Sequence, residues 1–126
     1  MPRRPTVLIV EDEFLIAISA SAVFERAGFD TIEASNADEA IAVLQERDVD
    51  LIFTDIRMPG SMDGLRLARH VRDRWPPIKI MVTSGHHLVQ NGDLPDGGVF
   101  LPKPYTDAAI VAAISRLEGG RVSALR

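Results

Sequence analysis

The chain has 126 residues, 46% of them hydrophobic and 25% charged, with a formal net charge of −4 and no cysteine. That length fits one compact domain with one good core, and the lack of cysteine excludes disulfides, thiolate metal sites and cysteine nucleophiles. The acidic balance offers no basic field for nucleic acid, and no apolar run approaches the ~18 residues needed to span a bilayer, so a cytosolic protein without direct nucleic-acid or membrane contacts is expected.

The opening "MPRRP" leads into a strand-length apolar run, "TVLIV" (6–10), too short and too soon acidic for a signal peptide. Three acids follow, Glu11, Asp12 and Glu13, before apolar spacing resumes at Phe14. Phe14, Ile18, Ala22 and Phe24 mark a first helix that stops at Gly28, as at a glycine cap. A half-polar strand, "DTIEA" (30–34), comes next, and Asn36 with Glu39 forms a capping pair for a second helix carrying Ile41, Val43 and Leu44. "DLIFTD" (50–55) is a third strand, after which Leu65, Leu67, Ala68 and Val71 mark a helix ending before Pro76. "KIMVTS" (79–84) and "VFLPK" (99–103) are the last strands, and Thr106 or Asp107 caps a helix through Ile110, Val111, Ile114 and Leu117. Between those strands, "GHHLVQNGDLPDGG" (85–98) has room for a turn or two of helix, from about His86 to Asn91. All strands but "DTIEA" are apolar throughout, the pattern of strands covered on both faces. The alternation predicts an α/β doubly wound fold, with a five-stranded parallel sheet between two layers of helices.

In an open parallel sheet, ligands bind beyond the carboxyl ends of the strands. Glu11 and Asp12 end the first strand, Asp55 the third, Ser84 the fourth and Lys103 the fifth. With the first and third strands about 4.8 Å apart, three carboxylates converge. A hard divalent cation relieves their repulsion, and Mg²⁺ suits a site with few protein ligands and several waters. Beside that metal, Asp55 can attack phosphorus, Lys103 can neutralise phosphoryl oxygens and Ser84 can donate a hydrogen bond to one of them. Thr83 competes for the hydroxyl role. Ser84 is preferred because Gly85 leaves space after it and strand alternation is expected to turn Thr83 away.

The joint pattern "VLIVEDE", "DLIFTDIRMPGSMDG", "IMVTSG" and "VFLPKPY" resembles the receiver domain of two-component response regulators, over about residues 5–118. The resemblance implies a flavodoxin-like strand order 2-1-3-4-5 and a signalling domain that catalyses only its own phosphorylation and dephosphorylation. Asp55 would be the phosphoacceptor, charged by a histidine kinase or histidine phosphotransfer protein. Asp12 would bind Mg²⁺ directly and Glu11 through water, with the backbone carbonyl of Arg57 completing the ligands. Ser84 would be the switch hydroxyl, Phe100 the rotating aromatic, Lys103 the phosphate-binding lysine and Lys103–Pro104 a cis peptide bond. Three features depart from the family pattern: "MPGSMDG" is one residue longer than the usual turn, the link from Ser84 to Lys103 is a few residues short, which predicts a shortened fourth helix, and Arg57 and His86 stand two residues after site residues, where the resemblance implies they overhang the pocket. With only "EGGRVSALR" after Leu117, a single receiver over 1–126 is expected, its tail at 119–126, acting through contacts with a downstream protein target. A homodimer formed on phosphorylation is compatible with this reading.

Each site residue alone has a plainer explanation. Acids after a strand commonly cap a helix, Phe100 alone would be core, and Lys103 before a proline would be a surface lysine. Their joint fall on successive strand ends is what outweighs these readings. A hydrolase of the haloacid dehalogenase type would need a second Asp where Arg57 stands, and a nucleotide-binding sheet would need a glycine-rich loop after the first strand. His86 and His87 lack a third nitrogen or sulfur ligand and read as polar loop residues.

Overall fold

The computed structural model describes residues 4–85, 89 and 91–118. The chain runs β1 (Thr6–Val10), α1 (Phe14–Arg26), β2 (Asp30–Ala34), α2 (Ala37–Glu46), β3 (Leu51–Asp55), α3 (Gly64–Arg74), β4 (Lys79–Ser84), β5 (Val99–Pro102) and α4 (Asp107–Leu117). All five strands pair in parallel, in the order β2-β1-β3-β4-β5. Every residue of β1 and β3 is buried, as their unbroken apolar runs require of central strands covered on both faces. No helix among the described residues is long and apolar enough to cross a membrane.

The sheet separates two cores. On one side Leu8, Ile52, Ile80 and Val82 pack against Leu44 of α2 and Leu67 and Val71 of α3. On the other, Ile9, Phe53 and Met81 pack against Phe24 of α1 and Ile110 and Ile114 of α4. Local chemistry starts the helices where the sequence placed them. The Asn36 side chain accepts from the Glu39 amide at 2.9 Å, while the Glu39 carboxylate accepts from the Ser35 amide at 2.8 Å. The Asp63 carboxylate accepts from the Arg66 amide at 2.9 Å, and Thr106, not Asp107, caps α4 through the Ala109 amide at 3.0 Å.

Two helices differ from expectation in phase. Of the residues that mark the period of α1, Phe24 is buried but Phe14 and Ile18 are 70% and 44% exposed, and Ala17, Ala20 and Val23 share the buried face. The helix is apolar on several faces, so spacing alone did not choose between them. Val111 of α4 is likewise exposed, its place taken by Ala113. Between β4 and β5 the described residues form one 3₁₀ turn, Asn91–Asp93, and no α-helix. Most of the helix expected from His86 to Asn91, and the tail at 119–126, lie outside the described residues.

Candidate functional site

The site lies where β1 and β3 end side by side, with β2 leaving to one side of β1 and β3, β4 and β5 to the other. Val10 is in register with Thr54, so the next residues along, Glu11 and Asp55, stand side by side where the ladder between β1 and β3 ends. Oxygens of Glu11, Asp12 and Asp55 come within 4.8 Å of one another, with Glu11 and Asp55 buried and Asp12 exposed. Lys103, following β5, reaches across from the far edge: its Nζ lies 3.1 Å from Asp55 Oδ2 and 3.3 Å from Glu11 Oε1. The Glu13 amide donates to Glu11 Oε2 at 3.1 Å, which turns the first acid inward and leaves Asp12 toward the opening.

Burial, the largest influence, pushes the Glu11 carboxyl above the usual carboxylate value, while the Glu13 amide and Lys103 pull it down and Asp55 adds to the rise. For Lys103, burial alone would lower the ammonium, but the hydrogen bond and charge of Asp55, joined by Glu11, outweigh it and hold the group above its ordinary value. Lys103 is therefore a cation throughout the neutral range. Three carboxylates against one ammonium leave an excess of negative charge among hard oxygen donors, a composition that fits Mg²⁺. A cleft of about 690 Å³ opens over these groups, lined by Asp12, Asp55, Arg57, Met58, Gly85 and Lys103. The expected contribution of Arg57 was its backbone carbonyl, and the residue does line this cleft. The Lys103–Pro104 peptide bond is cis.

The register favours Thr83 over Ser84 as the hydroxyl beside Asp55. Thr83, not Ser84, stands in register with Asp55. Along β4, Val82 belongs to the core on the α2–α3 side and Met81 to that on the α1–α4 side, so alternation puts Thr83 on the latter. Phe53 puts Asp55 on that same side, as Ile9 does Glu11 and Leu101 does Lys103. Ser84 falls on the opposite side of the strand. Its backbone carbonyl accepts from the Lys103 amide at 3.0 Å. Thr83 is fully buried, and its Oγ1 has no hydrogen-bond partner among the described residues. Phe100 is in register with Val82, half-buried against the α2–α3 core together with Val89 and Leu94.

Two further features escaped the sequence reading. Gly64, the first residue of α3, packs against the backbone of Asp55 so closely that an added Cβ would lie 1.9 Å from the Asp55 carbonyl oxygen. The "DG" pair before a helical period was its only signal. Tyr105 sets its ring edge against Phe53 at 5.8 Å and borders a groove that begins at Lys103, the burial of its ring raising its hydroxyl pKa.

These features define a flavodoxin-like α/β domain with an acidic, lysine-bridged site at the carboxyl edge of its sheet. The chain belongs to the response regulator receiver domain family, a family of signalling domains whose profile matches residues 7–115. It is 31% identical, over 96% of its length, to the C4-dicarboxylate transport transcriptional regulatory protein DctD of Rhizobium meliloti, of which it covers 27%. It is 30% identical, over 89% of its length, to the sensor kinase CckA of Brucella abortus, of which it covers 12%. The crystal structure of a response regulator receiver protein from Sinorhizobium medicae superimposes with a TM-score of 0.85 at 30% identity, covering 94% of this chain and 98% of that one. The chain thus spans well under a third of the length of the curated relatives it matches.

Proposed function

We propose that this chain acts as a cytoplasmic phosphoacceptor, taking a phosphoryl group onto Asp55 from a histidine kinase or histidine phosphotransfer protein and signalling through a changed protein-binding surface. The observation that carries the reading is the convergence of Glu11, Asp12 and Asp55 within 4.8 Å, with the Lys103 ammonium 3.1 Å from Asp55. An Asp55 oxygen attacks phosphorus as the bond to the donor imidazole nitrogen breaks, its electron pair staying on that nitrogen; with the other ring nitrogen protonated, the donor leaves as a neutral imidazole and Asp55 carries a mixed anhydride. Asp12, Glu11, Asp55 and the Arg57 carbonyl would hold Mg²⁺, which supplies charge neutralisation for the phosphoryl oxygens when bound. Lys103 is positioned to exchange its bond with Asp55 for one to a phosphoryl oxygen.

Thr83 takes the switch role first assigned to Ser84. A buried hydroxyl without a partner is an unfavourable state that an arriving phosphoryl oxygen relieves, and the reading has Thr83 moving toward it while Phe100 repacks. For the donor, α1 offers a docking face: Phe14 and Leu15 are 70% and 76% exposed, and Leu15 and Ile16 border a groove that runs to Lys103, Pro104 and Tyr105. That face lies beside the reacting carboxylate, as direct transfer requires.

Incubation with acetyl phosphate and Mg²⁺ tests the site without a kinase. Intact mass should rise by one phosphoryl group in the wild type, and neither the Asp55→Asn protein nor the EDTA-treated protein should gain it. Equal labelling of Asp55→Asn would refute the assignment.

A further inference from the structure

We infer that Gly64 is a positioning residue for the Asp55 carboxylate, holding the end of β3 at the height that Lys103 and the other acids require. The inference rests on the reading of Asp55 as the phosphoacceptor. The two successive peptides that follow Asp55 and Ile56 are gripped from three directions. The Thr54 hydroxyl donates to the Asp55 carbonyl at 2.9 Å, the Ile56 amide donates to the Thr83 carbonyl at 3.0 Å, and the Gly64 amide donates to the Ile56 carbonyl at 2.8 Å. The third grip brings the first turn of α3 directly against the strand end. An added Cβ at Gly64 would meet the Asp55 carbonyl oxygen at 1.9 Å, its carbon at 2.7 Å and the Ile56 Cα at 2.9 Å, all backbone atoms with no side-chain freedom to yield.

Gly64 differs in kind from the glycines of positive φ. Gly28, Gly60 and Gly97 have positive φ, and their missing side chains would meet nothing closer than 3.7 Å. At Gly64 the demand is for space and not for a left-handed backbone. To reach an ordinary contact of 3.4 Å from 1.9 Å, α3 and the end of β3 must part by about 1.5 Å. Lys103, which follows β5 and is not part of α3, meets Asp55 at 3.1 Å. A shift of the Asp55 backbone therefore changes the carboxylate's distance to its partners, and misplacement of about 1 Å at a reacting group can slow a reaction about 100-fold.

The test uses the full chain as wild type, Gly64→Ala and Gly28→Ala, at a temperature where circular dichroism shows each folded. Gly28→Ala strains a left-handed position far from the site, so it should lower the melting temperature yet take up phosphoryl groups from acetyl phosphate at the wild-type rate. Gly64→Ala should label roughly tenfold or more slowly and bind Mg²⁺ more weakly by calorimetry. A folded Gly64→Ala protein that labels within about twofold of wild type with unchanged Mg²⁺ affinity would overturn the positioning role. Labelling of Asp55→Asn would instead remove the underlying site assignment, a distinguishable result. Should Gly64→Ala not fold, the wild type itself decides. On adding beryllofluoride and Mg²⁺, the Gly64 and Ile56 amide resonances should move more than those of the rest of α3, and a stationary Gly64 amide beside a moving Lys103 would overturn the inference.

Discussion

Thr83 carries a buried hydroxyl that has no hydrogen-bond partner among the described residues. Leaving such a group unpaired costs about 1–3 kcal/mol, and replacing it by an apolar group of the same shape removes the penalty. Thr83→Val should therefore be as stable as the wild type or more stable by about 1 kcal/mol, while losing the phosphorylation-dependent NMR changes around Phe100. Ser84→Ala should retain those changes. A clearly destabilised Thr83→Val, or one with a full response, would return the hydroxyl role to Ser84. Glu11 poses the opposite tension, since burial holds its carboxyl above the ordinary value of 4.5. The folded chain keeps that proton where the unfolded chain has released it, so this group's contribution to stability falls as pH rises from 4.5 through the folded-state value. Glu11→Gln should flatten that dependence in melts of the metal-free protein, raise stability at neutral pH by ~0.5–2 kcal/mol, and weaken Mg²⁺ binding.

The described residues between β4 and β5 hold one 3₁₀ turn and are tied to α3. By sequence, the glycines and proline of 85–98 make this stretch the expected place of lowest protection. Two arginines of α3 bear on that expectation. Arg69 donates to the Asp93 carbonyl at 3.0 Å, and Arg72 donates to the Asp96 carbonyl at 2.8 and 3.1 Å while also holding Pro76 and Ile78 carbonyls at 2.7 and 2.8 Å. Arg72→Ala should destabilise the protein by about 1–3 kcal/mol, with hydrogen exchange rising at 93–99 and little at 79–83. Unchanged exchange at 93–99 would mean that the arginines do not anchor the segment. On α1, a charge at the exposed apolar face probes docking: Leu15→Asp should slow transfer from a histidine phosphodonor protein while leaving acetyl phosphate labelling intact. Equal slowing of both reactions would place Leu15 in the site's chemistry and not on a docking face.

Across the whole molecule, the acid cluster couples metal binding to folding. A cation that binds only the folded state stabilises it by about 2.7 kcal/mol at one hundred times its dissociation constant. Saturating Mg²⁺ should thus raise the melting temperature by several degrees, and Asp12→Asn and Asp55→Asn should blunt the rise. A rise in the variants equal to that of the wild type would place the cation elsewhere.

Much of this was legible in the chain. Unbroken apolar runs dictate buried parallel strands because both faces of each must be covered. Caps at Asn36 and Thr106 act within a few residues of where they stand, so local order reveals them. Acids, a lysine and a hydroxyl at successive strand ends disclose one sheet edge, because parallel strands all present the same end to it. Three matters depended on contacts between elements distant in sequence. The phase of β4 relative to β3 gave Asp55 the neighbour Thr83 in place of Ser84. Which side of an all-round apolar α1 is buried followed from the shape of the sheet and of α4, and it left Phe14 and Leu15 outside. The need for glycine at position 64 came from an Asp55 backbone nine residues earlier, folded back to within a bond's reach of where a side chain would begin. Periodicity specifies that a residue has a face; only packing decides what that face meets.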